Sequence, residues 1–468
     1  MNFNEFLDEN QYPVLILQWL ELKKSTYCSL DQLVELLGIS KFKTSQYLED
    51  LNKQLSKIDS DSKIDIYENN EIRIRNIDNY IVKKLRAEYL LESELFQLLH
   101  DTVHYELSID EFAENRFLSR SKSFNKRKLL IEKLRPFHLK YKKGKIIGDE
   151  KYVRSFIFSL YFNFFYGLHN PFGSEVVGLT QKIVNIITEE TRESFSLTQK
   201  AKLEFLVSIM VVRINNKHFI INRSDSDKLE KTEGYYKFSN LFVIPEDVIS
   251  LEWEYLQEFL FSEGITENKK YSFDEYKIKK ISTQFVEGLL KRHDENLINE
   301  LSLELTRIAI KYRLFPMHID SFNQDRSFNY FEENYPSMVE SVDMLVATFN
   351  SMFPDQLNQS NLYYDLFFSA IKIIPIDLYE EKIYVCVDFT QGINYTEFVT
   401  NQIRGFNEVN IIVQERINGF TDLFISDFPI MRLSCSQVIW KEPPNANDWE
   451  DFGNEIIKIK KEKWRNNE

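Results

Sequence analysis

The sequence predicts a multi-domain, mainly α-helical protein that closes in a small α/β domain, and three observations carry this expectation. The chain has 468 residues, too many for one core at about 100–150 residues per domain. It holds only 13 Gly and 11 Pro, below the usual shares of about 7% and 5%, so helix-breaking residues are scarce. Strand-like alternation recurs only in two short hairpins and after residue 381. Aromatic residues at 14% and hydrophobic residues at 43% exclude collagen-like, low-complexity and disordered classes. Cys28, Cys386 and Cys435 are odd in number and far apart, which argues against a disulfide framework or a zinc site and for a reducing, cytoplasmic setting. The acidic N-terminus lacks the basic flank and apolar run of a signal peptide. The uncharged run Ser155 to Ser174 is long enough for a bilayer, but Asn163, Gly167, His169, Asn170, Pro171 and Gly173 interrupt it. A buried, aromatic soluble helix over about Ser155 to Leu168 is expected instead, with no membrane partner.

The first elements form a helix-turn-helix with a hairpin. Val14 to Leu22 reads as an apolar helix, Ser29 or Leu30 to Leu37 as a second, Gly38-Ile39-Ser40 as a turn and Lys41 to Leu55 as a third. Tyr47, Leu48, Leu51 and Leu55 bury one face of the third helix, leaving Lys41, Lys43, Thr44, Ser45 and Gln46 at its exposed start. Lys63 to Tyr67 and Glu71 to Arg75 alternate around Asn69-Asn70, the pattern of a hairpin. This unit is nearly charge-balanced, and a protein-contact or packing role stays open beside DNA contact.

The second unit repeats the plan with a different charge. Ser108-Ile-Asp-Glu111 has the form of a capping box, and Ser119 caps the next helix. Phe124, Leu130, Ile131 and Leu134 fit one buried stripe, and the opposite face presents Arg120, Lys122, Ser123, Lys126 and Arg127. Leu139 to Ile147 reads as a hairpin turning at Lys143-Gly144, with Lys140, Lys142 and Lys143 along it. From Arg116 to Lys145 there are twelve basic residues against the single acid Glu132, a net +11 in a chain of net charge −14. Residues 1–150 carry 24 basic and 25 acidic groups, so the remainder carries −13. A nearly single-signed run repels itself unless a polyanion is its partner, and a phosphate backbone meets that need. Helix, turn, basic helix and basic hairpin make a winged helix-turn-helix that would read double-stranded DNA.

Two stretches of sequence carry a resemblance: Ser108-Ile-Asp-Glu-Phe-Ala-Glu-Asn-Arg-Phe-Leu-Ser-Arg-Ser, and the junction Gly148-Asp-Glu-Lys-Tyr-Val-Arg154-Ser-Phe-Ile-Phe-Ser-Leu-Tyr161 with its Gly-x-Glu-x-x-x-Arg pattern. In these the chain resembles the Mga/AtxA-type family of global virulence regulators of Gram-positive bacteria. The resemblance implies two DNA-binding domains (1–77 and 78–152), two helical bundles like those regulated by the sugar phosphotransferase system (153–275 and 276–380) and a C-terminal domain like a phosphotransferase IIB component (381–468). It further implies a homodimer, phosphotransferase phosphocarriers as possible partners, and phosphate on histidine, while the scattered cysteines and the lack of a nucleotide or paired-His motif lead to no expected cofactor or metal. Among the seven histidines, His218, close after Arg213, is the phosphoacceptor expected in the first bundle. His318 is the one expected in the second, ahead of His293. Leu206 stands seven residues before Arg213, where the antiterminator version of such a bundle has its acceptor histidine.

After residue 381 the chain alternates strand and helix, with a strand at Lys382 to Phe389, a helix at Tyr395 to Arg404, strands at Val409 to Val413 and Leu423 to Ser426, and a final helix at Trp449 to Lys463. A IIB component carries a reactive Cys where this chain has Phe389, and Cys386 falls inside the strand as a buried structural thiol. No nucleotide loop, nucleophile elbow or paired-His metal motif points to an enzyme. A sugar-responsive RNA-binding antiterminator and a non-catalytic interaction scaffold remain the alternatives to a transcriptional regulator.

Overall fold

The computed structural model describes residues 3–23, 28–221, 231–267, 275–317, 319, 330–352, 359–406, 409–441 and 443–467. The described residues are 67% helix, and the chain divides into two compact units, Met1–Tyr271 with Leu314–Ile319, and Ser272–Arg313 with Asp320–Glu468.

The first unit begins with a 3-10 segment, Phe3–Asn10, followed by α1 (Gln11–Leu22), α2 (Leu30–Leu37) and α3 (Lys41–Ile58), then the hairpin β1 (Lys63–Ile66) and β2 (Ile72–Arg75). Ser29 caps α2 through a reciprocal box with Gln32, and Gly38 ends it at φ 63°, a left-handed position that glycine fills without strain. Asn52 on α3 exchanges hydrogen bonds with the Ile64 backbone (2.8 and 2.7 Å), which pins the hairpin to that helix. A single antiparallel bridge between Ser29 and Glu71 ties the start of α2 to the hairpin.

Next come α4 (Asn79–Glu92), α5 (Glu94–Tyr105), α6 (Ile109–Asn115), α7 (Arg120–Leu134) and the hairpin β3 (Lys140–Lys142) with β4 (Lys145–Ile147). The N-terminal segment packs on α4 and α5 as well as on α1. Asp8 accepts hydrogen bonds from the Ser93 hydroxyl (2.9 Å) and the Leu95 amide (3.2 Å), serving free donors at the start of α5. Asn4 accepts from Arg86 Nε (2.9 Å), whose guanidinium lies 4.0 Å from the Phe164 ring centroid.

Four helices complete the unit: α8 (Glu150–Phe165), α9 (Ser174–Thr191), α10 (Leu197–Asn215) and α12 (Glu246–Ser262), with the short α11 (Glu233–Ser239) between the last two. The expected aromatic helix is α8, buried almost all round. Among the described residues no helix is long and apolar enough to cross a membrane. Two arginines lie inside this layer. Arg154 on α8 donates to both oxygens of Glu252 on α12 (2.6 and 2.8 Å) and to Glu150 (3.0 Å). Arg213 on α10 grips Glu150 with two bonds of 2.8 Å. Two cations thus meet two carboxylates with all four side chains buried. Burial alone would raise the Glu150 carboxyl, but Arg213 and Arg154 hold it below its usual range. Only Gly148 and Asp149 separate β4 from Glu150, so this cluster fixes where the second hairpin joins the helical layer.

A second polar group, half-buried at its histidines, lies between α5 and α8. His100 and His104 face each other at 4.1 Å between ring centroids, and His100 Nδ1 shares a hydrogen bond of 2.9 Å with the Tyr161 hydroxyl. Burial, with Arg116 and His169 nearby, lowers His100 to about 4; burial, with His100 adjacent, lowers His104 to about 3.

The second unit contains a helical core from α13 (Glu275–Leu290), α14 (Glu295–Leu314), α15 (Pro336–Met352) and α16 (Gln359–Ile373), closed by Ile298, Leu305, Met338, Phe349 and Phe367. It ends in a four-stranded parallel sheet of order β6-β5-β7-β8, from β5 (Ile383–Val387), β6 (Ile411–Gln414), β7 (Leu423–Ser426) and β8 (Ser436–Ile439). The helices α17 (Ile393–Arg404) and α18 (Ala446–Asn467) cover one face through Val399, Ile403, Phe452 and Ile456. Sequence alternation located three of these strands and missed β8, whose four residues Ser436–Ile439 are all half-buried and give no alternation.

Removing one member of the buried charge cluster leaves its partner unpaired inside the protein. Glu252→Ala is expected to destabilise the fold by about 3–5 kcal/mol, measured by chemical unfolding, while the double variant Arg154→Met, Glu252→Leu loses far less. The histidine pair gives a pH dependence of known sign. The unfolded chain takes up protons near the ordinary His value of about 6.5, whereas the folded chain keeps both rings neutral down to about 4 and about 3. Stability present above about pH 6.5 is therefore lost as pH falls toward those values, by at most about 1.4 kcal/mol per pH unit for each ring. Urea unfolding at pH 7, 6 and 5 should show a shallower loss for His100→Gln, His104→Leu than for the parent chain.

Candidate nucleic-acid interface

The second helix-turn-helix is built by local capping. Ser108 Oγ accepts from the Glu111 amide (3.3 Å) and Glu111 accepts from the Ser108 amide (2.7 Å), so both halves of the expected box form at the start of α6. Phe112 is fully buried, and Arg116 at the end of α6 reaches back to Asp101 on α5 with bonds of 3.1–3.2 Å. The Leu118 amide bonds to the Ala113 carbonyl (2.9 Å) and closes the turn. Ser119 then accepts from the Lys122 amide (3.2 Å) and starts α7.

The faces of α7 differ from the expected ones. Its buried stripe is Ser123, Leu130 and Leu134, with Ile131 half-buried. Phe124, expected inside, is 37% exposed and stands between the guanidinium groups of Arg120 and Arg127, each 5.6 Å from its ring centroid. Ser123, expected on the open face, is buried and donates its hydroxyl to the Ser119 carbonyl (3.2 Å). Lys126 is drawn to Asp8 (2.8 Å) and Glu94 (3.7 Å) and is only 16% exposed. Lys122 pairs with Glu94 but stays half exposed, and Arg120 lies 3.6 Å from Asp110 in solvent. The outward face is Ser121, Phe124, Asn125 and Lys128, spaced i, i+3, i+4, i+7 and all exposed. Sequence reasoning passed over Ser121, Asn125 and Lys128 because a small buried serine hid the true stripe; the spacing itself was there to be found.

The basic run is partly neutralised from outside. Arg116, Arg120, Lys122, Lys126, Lys133 and Lys145 take acids from beyond the run: Asp101, Asp110, Glu94, Asp8, Glu5 and Glu106. The self-repulsion expected of twelve cations is thereby relieved within the chain. Among the described residues Lys128, Arg135, Lys140, Lys142 and Lys143 have no such pair, and all five are exposed. Three of them stand on the hairpin, whose residues pair Lys140 with Ile147, Tyr141 with Ile146 and Lys142 with Lys145. Its turn residues Lys143 and Gly144 have φ 50° and 75°, the two-residue form that suits a hairpin. A Cβ on Gly144 would lie 2.4 Å from the Leu107 carbonyl, so glycine also lets the turn sit against the chain before α6. Tyr141 and Ile146 point inward and the lysines outward.

The first helix-turn-helix presents less. Thr44, expected at the exposed start of α3, is fully buried and donates to the Ser40 carbonyl (3.2 Å). Ser45 is half-buried and Gln46 exposed. Lys41 pairs with Asp31 (3.1 Å), and Lys43 lies over the stacked rings of Tyr12 and Tyr47 at 6.0 and 5.9 Å. Its hairpin is laced by Asp65 with Lys63 and Arg75, and by Glu71 with Arg73. The two hairpins thus differ in free charge.

His218 lies just past the end of α10. Its Nε2 meets Glu106 at 2.5 Å, and its carbonyl accepts from Arg154 (3.3 Å). Glu106 also pairs with Lys145 on β4. Burial would raise this carboxyl, but Lys145 and His218 hold it below its ordinary value. Leu206 is fully buried. In the second unit His293 holds Glu287 and Glu295 on its two ring nitrogens (2.8 and 3.2 Å), contacts that raise its basicity. His318 lies outside the described residues. In the sheet domain, Phe389 is buried against Tyr395 and Trp440, and Asp427 accepts from the Thr390 amide (3.0 Å) in the loop after β5. Cys386 is buried, and burial raises its thiol to about 11. No three His, Cys, Asp or Glu side chains among the described residues gather as a metal site.

Known proteins bear on the helix-turn-helix directly. No curated protein matches the chain. The family model of the Mga helix-turn-helix domain matches residues 78–161, from the residue that caps α4 to Tyr161 in α8. The match takes in both stretches that carried the resemblance, so residues 78–161 are similar to the Mga helix-turn-helix domain.

Proposed function

We propose that the protein is a DNA-binding transcriptional regulator of the Mga/AtxA type, acting in the cytoplasm as a homodimer and activating virulence or carbohydrate-linked genes. The observation that carries the reading is the row of unpaired lysines on the second hairpin beside the outward face of α7, within the matched Mga helix-turn-helix domain. In a winged helix-turn-helix the second helix enters the major groove and the hairpin follows the backbone, so Lys140, Lys142 and Lys143 meet phosphates. Arg120, Lys122 and Arg127 flank the groove-facing residues, and Ser119 stands at the start of the helix. Lys41, Lys43, Ser45 and Gln46 of the first unit make secondary contacts, its balanced hairpin favouring a packing role.

The domain order proposed is 1–77, 78–152, 153–275, 276–380 and 381–468, with the two middle domains similar to phosphotransferase-regulated bundles and the last to a IIB component. The parallel order of the final sheet supports the last assignment. Phe389 and the acidic Asp427 at its loop speak against phosphate transfer there. In the first bundle His218 is the proposed phosphoacceptor, supplied by a phosphotransferase phosphocarrier, with His318 as its counterpart in the second. Phosphate on His218 would put about −2 charge beside Glu106 and break the Glu106 contact that also holds Lys145 on the hairpin. Charge on the regulatory domain then reaches the DNA-binding hairpin through one carboxylate.

Duplex DNA binding by the full chain, titrated over salt, tests the main reading. Each phosphate contact contributes about −0.9 to the slope of log affinity against log salt, so replacing Lys140, Lys142 and Lys143 by Ala should flatten the slope by about 2–3 and weaken binding to all sequences alike. An unchanged slope and affinity in that variant would exclude the hairpin. For the regulatory link, Glu106→Gln, which frees Lys145, should tighten DNA binding several-fold, whereas His218→Asp, which adds negative charge beside Glu106, should weaken it; a His218→Asp protein that binds like the parent would remove His218 from the scheme.

A further inference from the structure

Two residues on the outward face of α7 are poorly explained by charge. Phe124 keeps 37% of its surface exposed although burial would favour it by up to roughly 2 kcal/mol, and it does so amid polar and basic side chains. The ring is held on two sides by Arg120 and Arg127, each at 5.6 Å, and Arg127 also lies 5.9 Å from the Tyr141 ring of the hairpin. This ladder of guanidinium and aromatic groups fixes the ring while leaving the rest of its surface open. Asn125, the next residue, is exposed, and among the described residues its side chain makes no hydrogen bond. Ser121 and Lys128 complete the same face.

We propose that Phe124 and Asn125 are the base-reading residues of α7 and that together they select adenine and thymine in the major groove. An Asn carboxamide matches adenine on two points, donating to N7 and accepting from the N6 amino group, and an apolar ring packs on the 5-methyl group that only thymine presents there. Arg120 and Arg127 position the ring and, with Lys128, lie toward the phosphates on either side. This assignment rests on the duplex-DNA reading above. It gives the helix a sequence preference that the lysines of the hairpin, which meet only backbone, do not supply.

The test uses the full chain and a pool of random-sequence duplexes, followed by binding to the enriched duplex carrying single-atom changes. The parent chain should enrich a motif with a fixed adenine and a nearby thymine. Changing that adenine to 7-deaza-adenine, or that thymine to deoxyuridine, should weaken binding by about fivefold or more. Asn125→Ala should be indifferent to the first change and Phe124→Ala to the second, each keeping the parent salt slope. Salt-dependent binding with no enriched adenine or thymine overturns the base-reading assignment and leaves the DNA reading standing. Analogue effects equal in parent and variants overturn the assignment too. If the parent binds no duplex at any salt concentration, the DNA reading itself fails and takes this proposal with it.

Discussion

Four charges buried between α8, α10 and α12 determine where the rest of the first unit sits. Desolvating two guanidinium and two carboxylate groups is costly, and the cost is offset only because Glu150 and Glu252 satisfy Arg154 and Arg213 with short, paired bonds. An apolar core tolerates small slides, but such a cluster tolerates almost none, because any shift strands a charge. Glu150 opens α8 directly after the second hairpin, so the geometry of the DNA-facing module is tied to that of the helical layer. The His218 carbonyl also accepts from Arg154, which places the histidine end of α10 on the same fixed frame. The Gly-x-Glu-x-x-x-Arg stretch at Gly148, Glu150 and Arg154 thereby has a physical meaning: its acid and its base are two of the four members.

The charge of the chain is arranged in two tiers. About half of the cations between Arg116 and Lys145 face acids of the N-terminal segment, α5 and α6, and they act as internal fastenings. Asp8 illustrates this well, since one carboxylate serves the start of α5 and the lysine Lys126 together. What remains for an outside polyanion is a smaller set on the hairpin, at Arg135 and at Lys128. The density of basic residues in the sequence therefore overstates the charge left unpaired at the surface.

Much of the architecture was legible in the sequence because its signals are local. The capping box at Ser108, the cap at Ser119 and the Lys143-Gly144 turn depend on neighbours a few residues away, and each formed as expected. The buried thiol of Cys386 followed from its place inside a strand. The error on α7 had a tertiary cause: close packing admits only a small side chain at Ser123, and two arginines keep Phe124 at the surface, neither of which a hydrophobic stripe can reveal. Thr44 and Lys126 were misplaced for similar reasons, one folded back onto its own helix and the other captured by acids more than thirty residues away in sequence. The partners of Arg154 and Arg213 were equally hidden, since Glu252 lies about a hundred residues from Arg154.

We assign DNA contact to the unpaired cations of α7 and the second hairpin, with the solvent-exposed Arg120 beside them, while shielded pairs such as Lys126 with Asp8 and Lys133 with Glu5 serve the fold. Amine acetylation of the full chain, followed residue by residue with mass spectrometry with and without duplex DNA at low salt, tests it most directly. DNA should shield Lys128, Lys140, Lys142 and Lys143 and leave Lys126 and Lys133 unchanged. Equal reactivity of the four with and without DNA would contradict it.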